Sequence, residues 1–243
     1  MFQYFKKLYI KSEQELFSEL EGKLLQEQKT FVITANSETF SWGMRDKKVE
    51  DLILDPRFVI VPDGISLVRL ARSYHIDIKA RIPGIDIATK LLEVANKYHK
   101  SLYVFGAKEE VLEQFRIFLN KNFPNIILNG MTNGYVDNRD QVMKEIAKTN
   151  SDIVLVALGV PQQELLLAQY YDTFEKGILI GVGGAIDVLS GSKKRAPKIF
   201  IDHNLEWLYR IATEPKRIKR FIFNNIQLIM KVKKDAKRID NFK

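Results

Sequence analysis

A carboxylate that directly follows a short apolar run is the strongest candidate for acid–base chemistry in this chain. The run Phe58-Val59-Ile60-Val61 ends in Pro62-Asp63-Gly64, a pattern that is typical of a buried strand stopping at a tight turn. In an open parallel sheet, ligands bind just beyond the carboxyl ends of the strands, where a carboxylate can act as a general base. Asp and Gly are also ordinary turn residues, and taken alone the triplet favours that simpler interpretation.

Two further polar residues, Thr34 and Asn36, come at the end of the preceding apolar run, residues 31–34. Strands that are consecutive in sequence are often neighbours in a sheet, so we expect both side chains to face one crevice together with Asp63. There they would bind sugar hydroxyls. Thr and Asn just before a helix are also common helix caps, and the local sequence leaves both interpretations open.

Gln163 and Arg81 lie in segments that read as loops or helix starts. Pro161 at the start of the next helix would put Gln163 near a helix N-terminus, which favours anions, although helix capping is an equally simple explanation. Arg81 stands shortly before Pro83 and Gly84, so we place it on a loop. It would bind phosphate there or be merely solvated, and on its own the solvated state is favoured.

The glycine-rich run Gly181-Val182-Gly183-Gly184 contains only part of a dinucleotide-binding fingerprint, because the spacing differs and the third glycine is missing. It favours backbone amides that approach a phosphate or a base over an NAD site. The sequence has no Walker A loop, no Asp-x-Asp pair and no cysteine, and its three histidines are scattered. A nucleotide diphosphate would therefore need cationic side chains to offset its charge.

Predicted strands and helices alternate about six times, which indicates an α/β fold with a Rossmann-like parallel sheet flanked by helices. The predicted strands are residues 31–34, 58–61, 102–105, 126–128, 153–157 and 178–180. The predicted helices are residues 16–24, the segment up to 55, 85–95, 109–119, 141–149 and 165–171. Several of the strands end in glycine, where the backbone can approach a ligand closely.

The chain has 243 residues, of which 46% are hydrophobic, and a net charge of +8 that is concentrated at its end. Residues 193–243 hold 15 Lys and Arg against 5 Asp and Glu. We therefore predict an α/β body over residues 1–192 and a basic, amphipathic, helical C-terminal appendage over residues 193–243, with a break at Glu214-Pro215. Such a charge distribution indicates an anionic partner at that end.

The appendage carries an apolar stripe beside a polar, mostly basic one, the pattern of a helix that lies on a membrane surface. The apolar stripe is Ile218, Phe221, Ile222, Ile226, Ile229 and Met230, and the polar stripe is Arg217, Arg220, Asn224, Gln227, Lys231 and Lys234. The apolar face would also suit packing on the body or on a second copy of the chain, so a homo-oligomer stays open. A nucleic-acid-binding arm is disfavoured because the apolar stripe is too continuous. The N-terminus lacks the apolar core of a signal peptide, and no stretch predicts a membrane-spanning helix.

In their order and spacing, these motifs resemble the WecG/TagA/CpsF family of bacterial glycosyltransferases from about residue 30 to about residue 230. The matching residues are Thr34-Ala35-Asn36 with Glu38, Pro62-Asp63-Gly64, Arg81 with Gly84, Phe105-Gly106-Ala107, Gly134-Tyr135, Ala157-Leu158-Gly159 with Pro161, Gln163 and Glu164, Gly181-Val182-Gly183-Gly184 with Asp187, Arg195-Ala196-Pro197, Glu206-Trp207-Leu208-Tyr209-Arg210, and Glu214-Pro215 with Arg217 and Arg220. Two departures are Gln162, where the family usually has Lys, and Ile186, where it usually has Phe.

The resemblance implies an inverting, metal-independent transfer of a sugar from a UDP-sugar to a polyprenyl-diphosphate-linked sugar. It implies a peripheral protein on the cytoplasmic face of the membrane, with no cofactor, no metal and no nucleic-acid partner. In the TagA-like members, which this chain resembles most, N-acetylmannosamine is moved from UDP-N-acetylmannosamine to undecaprenyl-diphosphate-linked GlcNAc for wall teichoic acid.

The resemblance also assigns roles to individual residues. Asp63 would be the catalytic base, and Thr34, Asn36, Arg81 and Gln163 would line the sugar and acceptor pocket. The nucleotide would be held by Gly106, Ala107, Tyr135, Gly183, Gly184 and Asp187. The appendage would contribute Arg210, Arg217 and Arg220, which would close over the site and meet the diphosphate.

Two alternatives accompany this interpretation. One is the same chemistry with another donor, UDP-glucose or UDP-N-acetylmannosaminuronic acid, for a capsule or exopolysaccharide. The other is a nucleotide- or nucleic-acid-binding module that uses the basic tail, which salt-sensitive nucleic-acid binding without UDP affinity would reveal. A dehydrogenase is disfavoured by the incomplete dinucleotide fingerprint.

Overall fold

Six parallel strands form one sheet with helices on both faces, in a computed structural model that describes residues 1–213 and 218–240. The strands are β1 (Thr30–Ala35), β2 (Val59–Pro62), β3 (Ser101–Gly106), β4 (Ile127–Thr132), β5 (Ile153–Ala157) and β6 (Ile178–Gly181). Their order across the sheet is β2-β1-β6-β5-β3-β4, and each neighbouring pair is parallel. The predicted Rossmann-like α/β fold is therefore confirmed.

Helices connect these strands and cover the sheet. In chain order they are α1 (Phe2–Lys6), α2 (Glu13–Leu25), α3 (Ser37–Gly43), α4 (Lys47–Leu54), α5 (Ile65–Ala71), α6 (Gly84–Tyr98), α7 (Glu109–Asn122), α8 (Arg139–Lys148), α9 (Gln162–Tyr170), α10 (Ala185–Leu189), α11 (Lys198–Asp202), α12 (Glu206–Thr213) and α13 (Ile218–Asp240). Short 3-10 turns follow α5 (Arg72–Tyr74) and α9 (Tyr171–Thr173).

The two faces of the sheet each carry a hydrophobic core, because successive side chains of a strand point to opposite faces. In β1, Phe31 and Ile33 pack into one core while Val32 packs into the other. All three side chains are fully buried. Strands covered on both faces read as continuous apolar runs, which is why β1, β2, β3, β5 and β6 were readable from the sequence. The edge strand β4 is partly exposed and continues to Thr132, so the predicted strand at residues 126–128 covered only its beginning.

The segment between β1 and β2 differs from the single helix that the sequence predicted up to residue 55. The chain forms two helices there, α3 and α4. Asp46 caps the N-terminus of α4, because its side chain accepts a hydrogen bond from the backbone N–H of Lys48. Helix α5, directly after Gly64, was also not predicted. It has seven residues, which is too short for a clear periodic pattern.

Strands β1 and β2 are aligned so that they end at the same level of the sheet. Thr34 lies opposite Val61 and Ala35 lies opposite Pro62. The backbone N–H of Asp63 donates to the carbonyl of Ala35 at 2.9 Å, which continues the ladder for one residue beyond β2. This register fixes the Asp63 backbone beside the start of α3.

Helix α13 packs against α3 through a face that combines Asn224 and Gln227 of the predicted polar stripe with apolar residues outside both predicted stripes. Asn224 is buried there together with Leu228 and Val232. The Ser41 hydroxyl donates to Gln227 Oε1 at 2.5 Å, so part of the contact is polar. The predicted break at Glu214-Pro215 lies outside the described residues, and among those that are described no helix is long and apolar enough to cross a membrane.

Substitution of Gly106, the last residue of β3, tests how tightly the carboxyl edge of the sheet is packed. Gly106 has φ +120°, and a Cβ there would lie 2.3 Å from the carbonyl oxygen of Ala157. We expect Gly106→Ala to lower the free energy of unfolding by at least about 2 kcal/mol, through overlap and backbone strain. Chemical denaturation of both proteins measures this difference.

The matched control is Gly22→Ala in α2, where an added Cβ meets nothing within 4 Å. It should be neutral or stabilise the protein by roughly 0.5–1 kcal/mol, because alanine favours the helix interior over glycine. Equal unfolding free energies for the two variants would contradict the packing of β3 against β5 described here.

Candidate active site

A cleft of about 530 Å³ lies beyond the carboxyl ends of β1 and β2, beneath the C-terminal helices. The body contributes Asn36, Asp63, Gly64 and Arg81 to its walls, and α12 and α13 contribute Glu206, Trp207, Arg210, Arg220 and Phe221. We call this the first pocket. It is the crevice in which the sequence placed Asn36 beside Asp63.

Asp63 is partly buried in the wall of the first pocket. Within the described residues, no side chain donates a hydrogen bond to its carboxylate. Burial raises the pKa of Asp63 above its ordinary value, and the Arg81 and Arg210 guanidiniums act in the opposite direction. An unpartnered carboxylate with a raised pKa is suited to accept a proton from a bound hydroxyl.

Asn36 both caps a helix and lines the first pocket, so the two interpretations of this residue are compatible. Its Oδ1 accepts hydrogen bonds from the backbone N–H groups of Glu38 at 2.8 Å and Thr39 at 3.2 Å. Thr34 behaves differently, since it is buried and its hydroxyl donates to the Gly181 carbonyl at 3.2 Å. It joins β1 to β6 and lies outside the residues that line the pocket.

Arg81 is not solvated, contrary to what its loop position alone favoured. Its side chain is only 10% exposed, and its guanidinium donates to Glu206 Oε2 at 2.6 Å. The other oxygen, Oε1, accepts a hydrogen bond from Arg210 at 2.8 Å. Glu206 therefore bridges an arginine of the body and an arginine of α12.

Charge compensation governs this bridge. Burial by itself would raise the pKa of Glu206, but the Arg210 and Arg81 guanidiniums outweigh it and hold the pKa of that carboxyl below its ordinary value. The sequence pointed to Glu206 only as part of a motif. Its signal was an acidic residue within an otherwise apolar and aromatic helical segment.

The outer rim of the first pocket is aromatic and basic. The rings of Trp207 and Phe221 stack with their centroids 5.1 Å apart. Arg220 forms an ion pair with Glu38, at 3.3 Å, and keeps more than half of its side chain exposed. Arg217, which the sequence assigned to the same cluster, lies outside the described residues.

A second pocket of about 370 Å³ lies on the other side of Glu206 and Arg210, which line both cavities. Its remaining walls contain three basic residues and no further acidic one, and are formed by Lys193, Lys194, Arg195, Tyr209, Thr213, Gly184, Val188 and Ala196. Arg195 is held by an ion pair with Asp86. The excess of positive charge suits an anionic group.

The predicted nucleotide-binding residues lie at two places along the carboxyl edge of the sheet. Gly106 and Ala107 form the turn after β3, where the Ala107 carbonyl accepts from the backbone N–H of Gly134 at 2.9 Å, and Tyr135 follows with three quarters of its side chain exposed. Gly183, Gly184 and Asp187 come after β6. Among these residues Gly184 lines the second pocket, and Asp187 pairs with Lys193 at 3.6 Å.

Gln163 is buried and ties together the turns that follow β5 and β6. Its Oε1 accepts hydrogen bonds from the backbone N–H groups of Gly159 and Gly183, both at 3.1 Å, and its Nε2 donates to Glu164 at 2.7 Å. The structure thus places Gln163 behind the glycine turns, and it lines neither of the two pockets.

Glu164 is a buried carboxyl group with one oxygen, Oε2, that has no hydrogen-bond partner. Burial raises the pKa of Glu164 to about 7. The sequence gave no sign of this, because a Gln-Glu pair at the start of a helix is usually solvated.

As to metals, the described part of the chain has no group of three His, Cys, Asp or Glu side chains arranged to hold an ion.

Comparison with known proteins gives one family and a consistent set of relatives. The family model described as "Glycosyl transferase WecG/TagA/CpsF family" matches residues 7–241. A Bacillus subtilis (strain 168) protein named N-acetylglucosaminyldiphosphoundecaprenol N-acetyl-beta-D-mannosaminyltransferase is 39% identical over 191 residues, which is 79% of this chain and 74% of the relative. Proteins of the same name are 35% identical in Bacillus spizizenii, over 84% of this chain and 80% of the relative, and 34% identical in Staphylococcus aureus (strain NCTC 8325 / PS 47), over 88% and 83%.

The buried Glu164 carboxyl predicts a specific pH dependence of stability. Its pKa is about 7 in the folded chain against 4.5 ordinarily, so the folded state binds the proton more tightly. The stabilisation is fully present below about pH 4.5 and is lost as the pH rises to about 7. Above about pH 7, wild type should therefore lose about 3 kcal/mol of its free energy of unfolding. We expect Glu164→Gln, which imitates the protonated form, not to show this loss.

The measurement is chemical denaturation of wild type and Glu164→Gln at pH 5 and pH 8. The variant should gain stability relative to wild type as the pH rises. The control is Glu93→Gln on the surface of α6, where Glu93 is half exposed and pairs with Lys90. A difference between wild type and Glu164→Gln that does not change with pH would show that Glu164 is not buried as described.

Proposed function

The chain belongs to the WecG/TagA/CpsF family of glycosyltransferases, and we propose that it transfers N-acetylmannosamine from UDP-N-acetylmannosamine to undecaprenyl-diphosphate-linked GlcNAc. The names of the relatives support the transferred sugar and the acceptor. The observation that carries the proposal is the Asp63 carboxylate in the wall of a pocket that also holds Arg81, Arg210 and Arg220.

In the proposed reaction, the acceptor hydroxyl binds in the first pocket within hydrogen-bond reach of Asp63. Asp63 takes the hydroxyl proton while the oxygen attacks the anomeric carbon of the donor sugar, and the bond between that carbon and the diphosphate breaks. UDP leaves with the bonding electron pair. A single displacement of this kind inverts the configuration at the anomeric carbon.

Charge on the departing UDP must be stabilised for this step to proceed. We propose that the second pocket receives the diphosphate, with Arg210 reaching it from the shared wall and with Lys194 and Arg195 on its far side. Guanidinium groups remain positively charged and bind phosphate oxygens through a planar set of donors. These cations would supply the stabilisation that a metal ion supplies in other nucleotide-sugar enzymes. The turns at Gly106 and Gly183 would support the nucleoside part of UDP.

The lipid part of the acceptor explains the apolar side of the first pocket. Trp207, Ile211, Phe221 and Ile229 line it, and Ile229 is also partly exposed on α13. That outer face exposes large apolar side chains, namely Ile222, Phe223, Ile226 and Met230. We propose that this face lies on the cytoplasmic surface of the membrane, with Lys219, Lys231 and Lys234 near anionic lipid headgroups.

UDP release tests the reaction. The full chain is mixed with a short-chain polyprenyl-diphosphate-GlcNAc acceptor and, separately, UDP-N-acetylmannosamine, UDP-glucose or UDP-N-acetylmannosaminuronic acid. We expect acceptor-dependent UDP release that is fastest with UDP-N-acetylmannosamine and unchanged by EDTA. Asp63→Asn should lower kcat by roughly 100-fold to 10,000-fold, because the general base is lost.

The control variant is Asp51→Asn, at an exposed ion pair with Lys47 on α4, and it should turn over like wild type. Full activity of Asp63→Asn would reject the base assignment. Loss of activity in EDTA would reject metal independence, and a faster rate with either other donor would reassign the sugar. No acceptor-dependent release from any of the donors would reject the transfer reaction as proposed.

Sedimentation with vesicles tests the membrane face. The double variant Ile222→Glu with Ile226→Glu places two charges on the outer face of α13, where both residues are about half exposed. Binding to vesicles of anionic lipid should weaken roughly 100-fold, because each isoleucine contributes at least about 1.5 kcal/mol when buried in an apolar environment.

The matched control is the double variant Ile117→Glu with Ile127→Glu. These residues are similarly exposed, at 60% and 53%, but they lie on α7 and β4. The net charge of the two double variants is identical, so a difference between them reports the position of the membrane face. Equal binding by both would place the contact elsewhere.

A further inference from the structure

Glu206 is the side chain that separates the two pockets. It lines both of them, and its carboxylate is only 4% exposed. Each of its oxygens accepts a hydrogen bond from a different arginine, Arg81 at 2.6 Å and Arg210 at 2.8 Å. In the proposed reaction Glu206 does not itself meet a reacting atom, so the proposed function leaves its presence unexplained.

Stability alone is a weak reason for this arrangement. A buried ion pair pays a desolvation cost that often cancels its attraction, and apolar side chains of similar volume would frequently serve as well. A negative charge within the wall of a pocket proposed to bind a diphosphate would also weaken anion binding. These two costs indicate that Glu206 serves the site in another way.

The charges around Asp63 indicate that Glu206 acts on the ionisation of that carboxylate. Two positive groups, Arg81 and Arg210, favour the ionised form of Asp63, while Glu206 and Asp86 oppose it. Three further charged residues line the same pocket, namely Glu38, Arg69 and Arg220. Without Glu206, the two arginines would act on Asp63 with their full charge, and Arg81 would be free to turn toward it.

A carboxylate that is paired with an arginine is a poor base, because the pair favours the ionised form and takes up its lone pairs. Glu206 prevents this by accepting a hydrogen bond from each of the two guanidiniums. It also leaves Arg210 with almost half of its side chain exposed and positioned between the two pockets.

We propose that Glu206 is a positioning residue that clamps Arg81 and Arg210 in the wall between the pockets and offsets their charge, so that Asp63 remains free to accept a proton. The proposal rests on the proposed function for the identity of the base. The charge relation between Glu206 and Asp63 can nevertheless be measured without any substrate.

The first measurement is the titration of Asp63 by ¹³C NMR of its side-chain carboxyl group in the full chain. The resonance that disappears in Asp63→Asn identifies the group. In Glu206→Gln, we expect the titration midpoint of Asp63 to fall by about one pH unit, because two arginines are left without their counter-charge. The control Glu93→Gln, on the exposed face of α6, should leave the midpoint unchanged.

The second measurement separates the effect of the negative charge of Glu206 from the effect of its side-chain length. Glu206→Asp keeps the negative charge but is one methylene shorter, so it cannot hold both arginines at once. It should leave the Asp63 midpoint between those of wild type and Glu206→Gln, because the counter-charge is kept while one arginine is released, and should lower kcat roughly tenfold or more, because positioning is lost. In Glu206→Gln the acidic limb of the kcat/KM profile should move to lower pH together with the Asp63 midpoint.

The outcomes distinguish this proposal from the proposed function. An Asp63 midpoint that is the same in wild type and Glu206→Gln would overturn the role of Glu206, whatever the activity. If Glu206→Gln does not fold, full kcat in Glu206→Asp would overturn it instead. If the Asp63 midpoint shifts in Glu206→Gln but wild type has no transferase activity, the charge relation between Glu206 and Asp63 is supported and the proposed function is rejected.

Discussion

The ion pair between Arg81 and Glu206 is the contact on which the site depends. It joins the loop before α6, which belongs to the body, to the first residue of α12, and both side chains are almost fully buried. Through this contact the C-terminal segment lies above the carboxyl ends of β1 and β2 and forms one wall of each pocket. Removing either partner would leave an uncompensated buried charge, which is far more costly than removing both.

The site is organised around charge. Positive groups outnumber negative ones in the second pocket, while Asp63 faces the first pocket without a partner among the described side chains. In the proposed reaction this division suits the two substrates, since a diphosphate needs cations and a hydroxyl needs a base. Glu206 and Arg210 line both pockets, so the two proposed binding sites share one wall.

Helix α13 has large apolar side chains on both its inner and its outer face, since Leu228 and Val232 are buried in the core. Its inner face also contains Asn224, which accepts from Arg45 just after α3, and Gln227, which accepts from Ser41 of α3, while its outer face exposes Ile222, Phe223 and Ile226. Large exposed apolar side chains grouped on one helix face indicate contact with an apolar phase or partner. A membrane that carries the lipid-linked acceptor would meet that requirement and bring the first pocket close to its substrate.

The sequence by itself determined the fold class and the positions of five of the six strands, because strands buried on both faces are continuous apolar runs of characteristic length. The edge strand β4 lacks such a run and was only partly predicted. It also determined the candidate base, since Asp63 stands directly after such a strand, and the basic character of the C-terminal end. Tertiary structure alone decided the partners of the polar residues. Thr34 and Gln163 turn inward to bind backbone groups of neighbouring turns, Arg81 is buried against Glu206, and α13 packs through a face that combines Asn224 with Leu228 and Val232. The bonds of Thr34 and Arg81 join segments more than 100 residues apart, and those of Gln163 join turns up to 20 residues away. Local patterns of hydrophobicity contain no information about such pairings.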